Sequence, residues 1–105
     1  MFKNYRRYQR YSVNARALIT RRDESASEKL TTQVNTISQG GMGFYANRLL
    51  DKSTPVTVEL MIDAVGRLEI LEGRIASICK QGKDYFVGIS FDRVISYDRF
   101  VEILG

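Results

Sequence analysis

Three arginines, Arg6, Arg7 and Arg10, stand close together near the start of the chain, interleaved with Tyr5, Tyr8 and Tyr11 and with no carboxylate among them. Each guanidinium is a planar fork that can grip a phosphate or the O6/N7 edge of guanine through two hydrogen bonds, and it can stack on a base. A second stretch, Thr36-Ile37-Ser38-Gln39-Gly40-Gly41-Met42-Gly43-Phe44, brings hydroxyls and glycines together. On a strand, Thr36 and Ser38 share a face while Ile37 points to the core. Gly40 and Gly41 would let the backbone take positive φ and let a ligand come close. The remaining chemistry is sparse. The chain has no histidine, so the usual general base near neutral pH is missing. Cys79 sits within an apolar strand-like run and reads as a buried structural thiol. No Cys/His cluster offers ligands to a transition metal, and the dispersed acids read as a solvated face. These residues predict a binding protein: not an enzyme, with no metal and no cofactor.

The elements that must position these groups are mostly strands. Tyr11 to Thr20 alternates, with Val13, Ala15, Ala17 and Ile19 on one face, as a half-buried strand does. Leu30 to Ile37, Met42 to Ala46, Thr54 to Ile62, Leu68 to Lys80 and Tyr85 to Phe91 complete a set of six, with a bend or bulge expected at Gly73. Arg21 to Lys29 is a polar loop, and Ser38 to Gly41, Asp63 to Gly66 and Gln81 to Asp84 read as turns. The end of the chain changes period. Ser96 suits a helix N-cap, Asp98 suits the positive end of the dipole, and Ile95 with Phe100 suits a hydrophobic staple. A helix over about 96–104 follows, docked through Phe100, Val101, Ile103 and Leu104, with Gly105 as its stop. Six short strands on hairpin-length connections plus one helix predict a mainly β domain, an antiparallel barrel with a short C-terminal helix.

Charge is distributed unevenly. Through Arg22 the chain carries Lys3, Arg6, Arg7, Arg10, Arg16, Arg21 and Arg22 and no acid, leaving nine basic residues against all twelve acidic ones beyond. A basic arm over residues 1–12 therefore precedes a single, mildly acidic domain over residues 11–105. This asymmetry calls for an anionic partner, and Arg16, Arg21 and Arg22 would add long-range positive potential. No apolar run is long enough to span a bilayer and no signal-peptide pattern is present, so no membrane insertion is expected. A single cysteine fits a reducing compartment, the cytoplasm by default.

The two stretches together resemble the PilZ domain. An Arg-x-x-x-Arg motif is matched by Arg6 and Arg10, with Arg7 where a further arginine is common. The second motif, Asp/Asn-x-Ser-x-x-Gly, is matched at Ser38 and Gly41, and the closing Tyr85-Phe86-Val87-Gly88-Ile89-Ser90-Phe91-Asp92 is similar to the family's last strand. The resemblance covers nearly the whole chain. It implies a six-stranded PilZ-type barrel with a C-terminal helix that binds cyclic di-GMP, with Arg6, Arg7, Arg10, Thr36, Ser38, Gly40 and Gly41 as ligand contacts. It also implies control of motility, biofilm or exopolysaccharide through an effector protein. The departure is Thr36, where the family has Asp or Asn. Asn35 lies one position early and on an unbroken strand faces the other way; only a bulge brings it round.

The expected mechanism is ordering of the N-terminal arm around the ligand, which presents a new surface to a partner. The alternative is a degenerate PilZ domain that binds no nucleotide and acts as a protein adaptor. A polynucleotide is the poorer partner, because the positive charge is concentrated at one end and the strands offer few paired exposed aromatics. A monomer or weak dimer is expected, with Phe44, Tyr45 and Tyr85 as candidate surface contacts and core as the better assignment for at least one face of their strands.

Overall fold

A computed structural model describes residues 8–22, 29–62 and 66–104. Expectations for Arg6 and Arg7, for most of the polar loop, for the turn at Asp63 to Val65 and for Gly105 lie outside these described residues. Alternating apolar residues form β1 (Tyr11–Ser12), β2 (Ala15–Arg21), β3 (Lys29–Ile37), β4 (Gly41–Ala46), β5 (Pro55–Ile62), β6 (Arg67–Gln81) and β7 (Asp84–Phe91), followed by α1 (Tyr97–Leu104). All pairings are antiparallel. The strands run β3-β2-β5-β6-β7-β4, and β4 returns to β3, so six strands close into a barrel. Closure leaves no long open edge among them.

The inward row of β5, Val56, Val58, Leu60 and Ile62, is buried, as its period of two requires. It meets Val34 and Ile37 from β3, Phe44 from β4 and Val87 from β7. Burying each such side chain is worth roughly 1.5–3 kcal/mol. The β6–β7 hairpin turns through Gly82 and Lys83, and Gly82 takes the positive φ of 64° that a two-residue loop demands.

α1 begins as its sequence dictates. The backbone N–H of Arg99 donates to Ser96 Oγ at 3.3 Å, and Ile95 and Phe100 are both buried as a staple. Phe100 and Ile103 seat the helix on the core, and the Tyr11 ring meets Phe100 at 5.8 Å. Val101 does not dock; it is exposed, about 100° round the helix from Phe100.

Four further expectations are corrected. The first strand is broken at Val13–Asn14, with a one-residue offset between Tyr11↔Ile37 and Arg16↔Gln33. Pairing runs unbroken through Gly73; the irregularity lies between Ile75 and Ser77. Gly73 is a glycine because a Cβ there would strike the Ser90 carbonyl. Cys79 is exposed, because a register shift between Ile75 and Ser77 moves the inward phase to Ile78 and turns Cys79 to the outer face. Phe44 is fully buried, whereas Tyr45 is exposed and Tyr85 half-buried.

A candidate ligand groove across β3, β4, β7 and β6

Two β-bulges shape the outer face of the barrel. In β3, Val34 pairs with Phe44 and Thr36 with Gly43, so Asn35 has no partner across the ladder. In β6, Ile75 pairs with Ile89 and Ser77 with Gly88, leaving Ala76 without one. A bulge shifts the side-chain phase by one residue. Val34 and Ile37 therefore both point inward, while Asn35 and Thr36 face out together. In the same way Ile75 is buried, Ile78 is packed on the core, and Ala76 and Ser77 lie outside. On an unbroken β3, Thr36 would share the inward parity of Val34. The bulge that brings Asn35 and Thr36 onto one face is thus present, but Thr36 is the residue that reaches the groove.

One cross-strand row runs Thr36↔Gly43↔Gly88↔Ser77 through four strands. Its ends are hydroxyls and its middle is two glycines. At one strand spacing per step, the ends are roughly 14 Å apart. Phe86 leans into the space above Gly43: its Cζ lies 2.5 Å from where a Cβ would be, and Thr36 Oγ1 lies 3.1 Å from it. The Phe86 ring is braced edge-on by Tyr45 at 4.9 Å.

The turn after β3 closes one end. The Ser38 N–H donates to the Gly41 carbonyl at 2.8 Å, and the Gly40 N–H donates to Ser38 Oγ at 3.2 Å. Phe91 N–H donates to Gly40 O at 2.9 Å, and Ile95 N–H to Gln39 O at 2.8 Å, which fastens the turn to the segment before α1. Ser38 is buried, so its hydroxyl first shapes the turn. Gly40 and Gly41 do not use positive φ, which among the described residues occurs at Ser53, Gly66 and Gly82. They are glycines for space. A Cβ on Gly40 would press the Tyr8 ring at 3.1 Å, and one on Gly41 would strike the Ile89 carbonyl.

The arm arrives by the same logic. β1 pairs with the end of β3 through Tyr11↔Ile37 and Ser12↔Thr36. Arg10, one residue earlier, is thereby delivered beside Ser38. Of the predicted ligand contacts, Arg10, Thr36, Ser38, Gly40 and Gly41 line one cavity of about 270 Å³. Arg10 is the one charged residue among the described residues that line it. Gly43, Ser77, Phe86 and Gly88 also line it and were not singled out from sequence. Glycines inside strands, as Gly43 and Gly88 are, flag close approach; nothing local marks Ser77, whose position depends on the bulge.

Two groups of charges outside the groove hold the fold. Glu69 shares the inward parity of Leu71 and Ile75 and is buried, contrary to a solvated role for the acids. Arg67 Nε donates to it at 2.5 Å and Arg99 Nε at 2.8 Å, and Arg67 also pairs with Glu102 at 3.0 Å, tying α1 to β6. Burial pushes the Glu69 carboxyl up, but the hydrogen bonds from Arg99 and Arg67 outweigh it and hold the group below its ordinary value. Arg22 is likewise committed. It donates to the Val56 and Gly73 carbonyls, each at 3.1 Å, and to Asp92 at 3.0 Å, so its charge is locally neutralised rather than broadcast. Among the described residues no group of His, Cys, Asp or Glu is arranged to hold a metal, and no helix is long and apolar enough to cross a membrane.

The profile of the PilZ domain matches residues 4–102. No curated protein is a significant match. Among solved structures, the inhibitor of motility MotI/DgrA from Bacillus subtilis is similar at 14% identity and a TM-score of 0.72, covering 92% of this chain and 46% of that one. The chain thus spans under half the length of that protein. The PilZ domain of YcgR from Escherichia coli, solved with c-di-GMP, is 19% identical with a TM-score of 0.72, over 92% of this chain and 86% of that one. The PilZ domain of CeSA from a cellulose-synthesising bacterium is 20% identical with a TM-score of 0.58, over 90% of each chain.

Proposed function

As the chain belongs to the PilZ domain family, we propose that it is a cyclic di-GMP receptor that acts as an adaptor, not an enzyme. One observation carries the reading. Arg10 from the first motif and Thr36, Ser38, Gly40 and Gly41 from the second, far apart in sequence, line the same cavity. That cavity, about 270 Å³, is at the small end of ligand sites. A cyclic dinucleotide therefore needs a further wall, which the arm bearing Arg6 and Arg7 supplies. The guanidiniums neutralise the phosphates and stack on or read the guanines, and the hydroxyl and backbone groups of the 36–41 stretch meet the base. Closure of the arm alters the surface offered to an effector protein in the cytoplasm, in control of motility, biofilm or exopolysaccharide.

Thr36 in place of Asp or Asn favours a second reading, a PilZ adaptor without nucleotide. Isothermal titration with cyclic di-GMP separates the two. The expected result is saturable binding that an Arg6→Ala/Arg10→Ala variant loses. No heat and no thermal shift up to high micromolar ligand would overturn the receptor reading and leave the adaptor.

A further inference from the structure

We infer that the protein pairs with a second copy of itself through the open edge of β6, antiparallel and centred on Cys79. The pairing does not depend on a bound nucleotide. β5 pairs with β6 from Arg67 to Arg74. Ser53 N–H donates to Ile75 O at 2.7 Å and Ile75 N–H to Thr54 O at 3.0 Å, which carries that side one residue further. The chain leaves the line of the sheet at Ser53, whose φ of 69° is left-handed. Beyond Ile75, residues Ala76–Gln81 pair with β7 on one side, and no described strand pairs with them on the other. Such an edge is a template for a further strand.

Hairpin geometry assigns the free groups. The two-residue loop Gly82–Lys83 closes on Gln81↔Asp84, a hydrogen-bonded pair. Because such pairs alternate, Gln81, Cys79 and Ser77 turn their N–H and C=O toward β7, and Ile78 and Lys80 turn theirs to the open side. Two free residues flanking one residue are complementary to their own two-fold copy. Ile78 meets Lys80 of the second copy, Lys80 meets its Ile78, and four backbone hydrogen bonds form. Cys79 then faces Cys79 across a non-hydrogen-bonded pair, with Cα atoms about 4.5 Å apart. A shift of register toward the 51–54 turn would run the second hairpin into Ser53 and Thr54. A shift the other way sets Lys80 opposite Lys80, with like charges facing.

A lysine on an edge can guard it against other strands. Lys80 leans the other way: its Nζ lies 4.8 Å from the ring centroid of Tyr85, its partner on β7. The Cys79 thiol is exposed and makes a long, weak contact to the Lys80 carbonyl at 3.9 Å. The opposed residues are then Ser77 with Gln81, Ile78 with Lys80 and Cys79 with itself, none of them a pair of like charges. The strip is Ala76–Gln81 on each copy, against roughly 20–30 residues a side in a stable interface. The pair is therefore weak and depends on concentration.

Sedimentation equilibrium of the full chain under dithiothreitol should show the mass rising from one chain toward two as the protein approaches about 1 mM. Lys80→Pro should hold the mass at one chain. It removes an N–H on the open side, where an edge strand tolerates proline, and leaves the β7 ladder whole. Diamide reads the register. Two Cys79 thiols give up two protons and two electrons to form one S–S bond, and the N=N bond of diamide becomes a hydrazine. At equal protein concentration the unaltered chain should cross-link about tenfold faster or more than Cys79→Ser/Lys83→Cys, whose thiol sits on the exposed hairpin tip away from the two-fold axis. One mass throughout, with cross-linking no faster than in that control, would overturn the pairing and leave the edge to an extended segment of another protein. A rising mass that a folded Lys80→Pro retains would overturn this edge as the interface. If Lys80→Pro does not fold, the cross-linking comparison decides alone.

Discussion

Replacing Thr36 with Asp should tighten cyclic di-GMP binding. Thr36 is half-buried in the groove wall, and its Oγ1 lies 3.1 Å from the Cβ position of Gly43. A hydroxyl there accepts through one oxygen. A carboxylate offers two, suited to the adjacent N1–H and N2–H donors of a guanine edge. A hydrogen bond to a charged group is worth about 1.5–3 kcal/mol net. Two costs oppose the gain. Asp is a poorer strand residue than Thr, by up to about 1 kcal/mol, but that penalty falls on folding and not on affinity. The new carboxylate also pairs with the arginine that shares its cavity before ligand arrives, a solvent-exposed interaction worth about 0–1 kcal/mol. The net gain is about 1–2 kcal/mol, or roughly five- to thirtyfold in Kd. Isothermal titration of Thr36→Asp against the unaltered protein reads this directly. Thr36→Asn, which restores an acceptor without charge, should gain about fivefold. If neither substitution tightens binding, the base edge does not sit at position 36 and the assignment of this wall is wrong.

Two other perturbations probe the frame around the groove. Glu69→Gln removes a buried carboxylate that holds two arginines. Breaking a fully buried pair costs about 3–5 kcal/mol; both arginines are more than a third exposed, so about 1–3 kcal/mol is expected by urea unfolding. Because the folded value of Glu69 is lowered, its contribution is present above the ordinary carboxyl value of 4.5 and is lost as pH falls below it. Glu69→Gln should therefore flatten the acid limb of the stability curve, and parallel limbs would refute the assignment. Cys79 is exposed, so a thiol reagent should modify one equivalent of folded protein without unfolding it. Protection until denaturant is added would place the thiol in the core instead.

Most of the barrel was legible because its signals are local. Val56, Val58, Leu60 and Ile62 repeat every second residue, Gly82 marks its hairpin, and Ser96 with Ile95 and Phe100 announces the helix. Half of the groove was legible for a different reason: its glycines and hydroxyls lie in one short stretch whose pattern resembles a family motif. What sequence could not show depends on pairing between strands. Glu69 carried a faint signal, the shared parity with Leu71 and Ile75, but its partner Arg99 lies 30 residues on. The asparagine and alanine that form the two bulges have nothing in their types to mark them. A bulge is a register mismatch between two ladders, and period-two alternation can be read only on one strand at a time.

The mismatches are not scattered. The β3 bulge lifts Thr36 out of the core parity, the β6 bulge lifts Ser77, and the break at Val13–Asn14 lets β1 pair past the end of β2 and carry Arg10 to the same place. Bulges bend and twist strands so that a barrel can close, and that alone does not fix which side chains they turn outward. Departures from local regularity concentrate where a site needs side chains that an ideal sheet would misdirect. Here each interruption delivers one polar group to a single surface: a guanidinium, a hydroxyl at one end of the glycine row, and a hydroxyl at the other. The convergence brings Ser77 into the same cavity as Thr36 and Arg10, although no motif connects them in sequence.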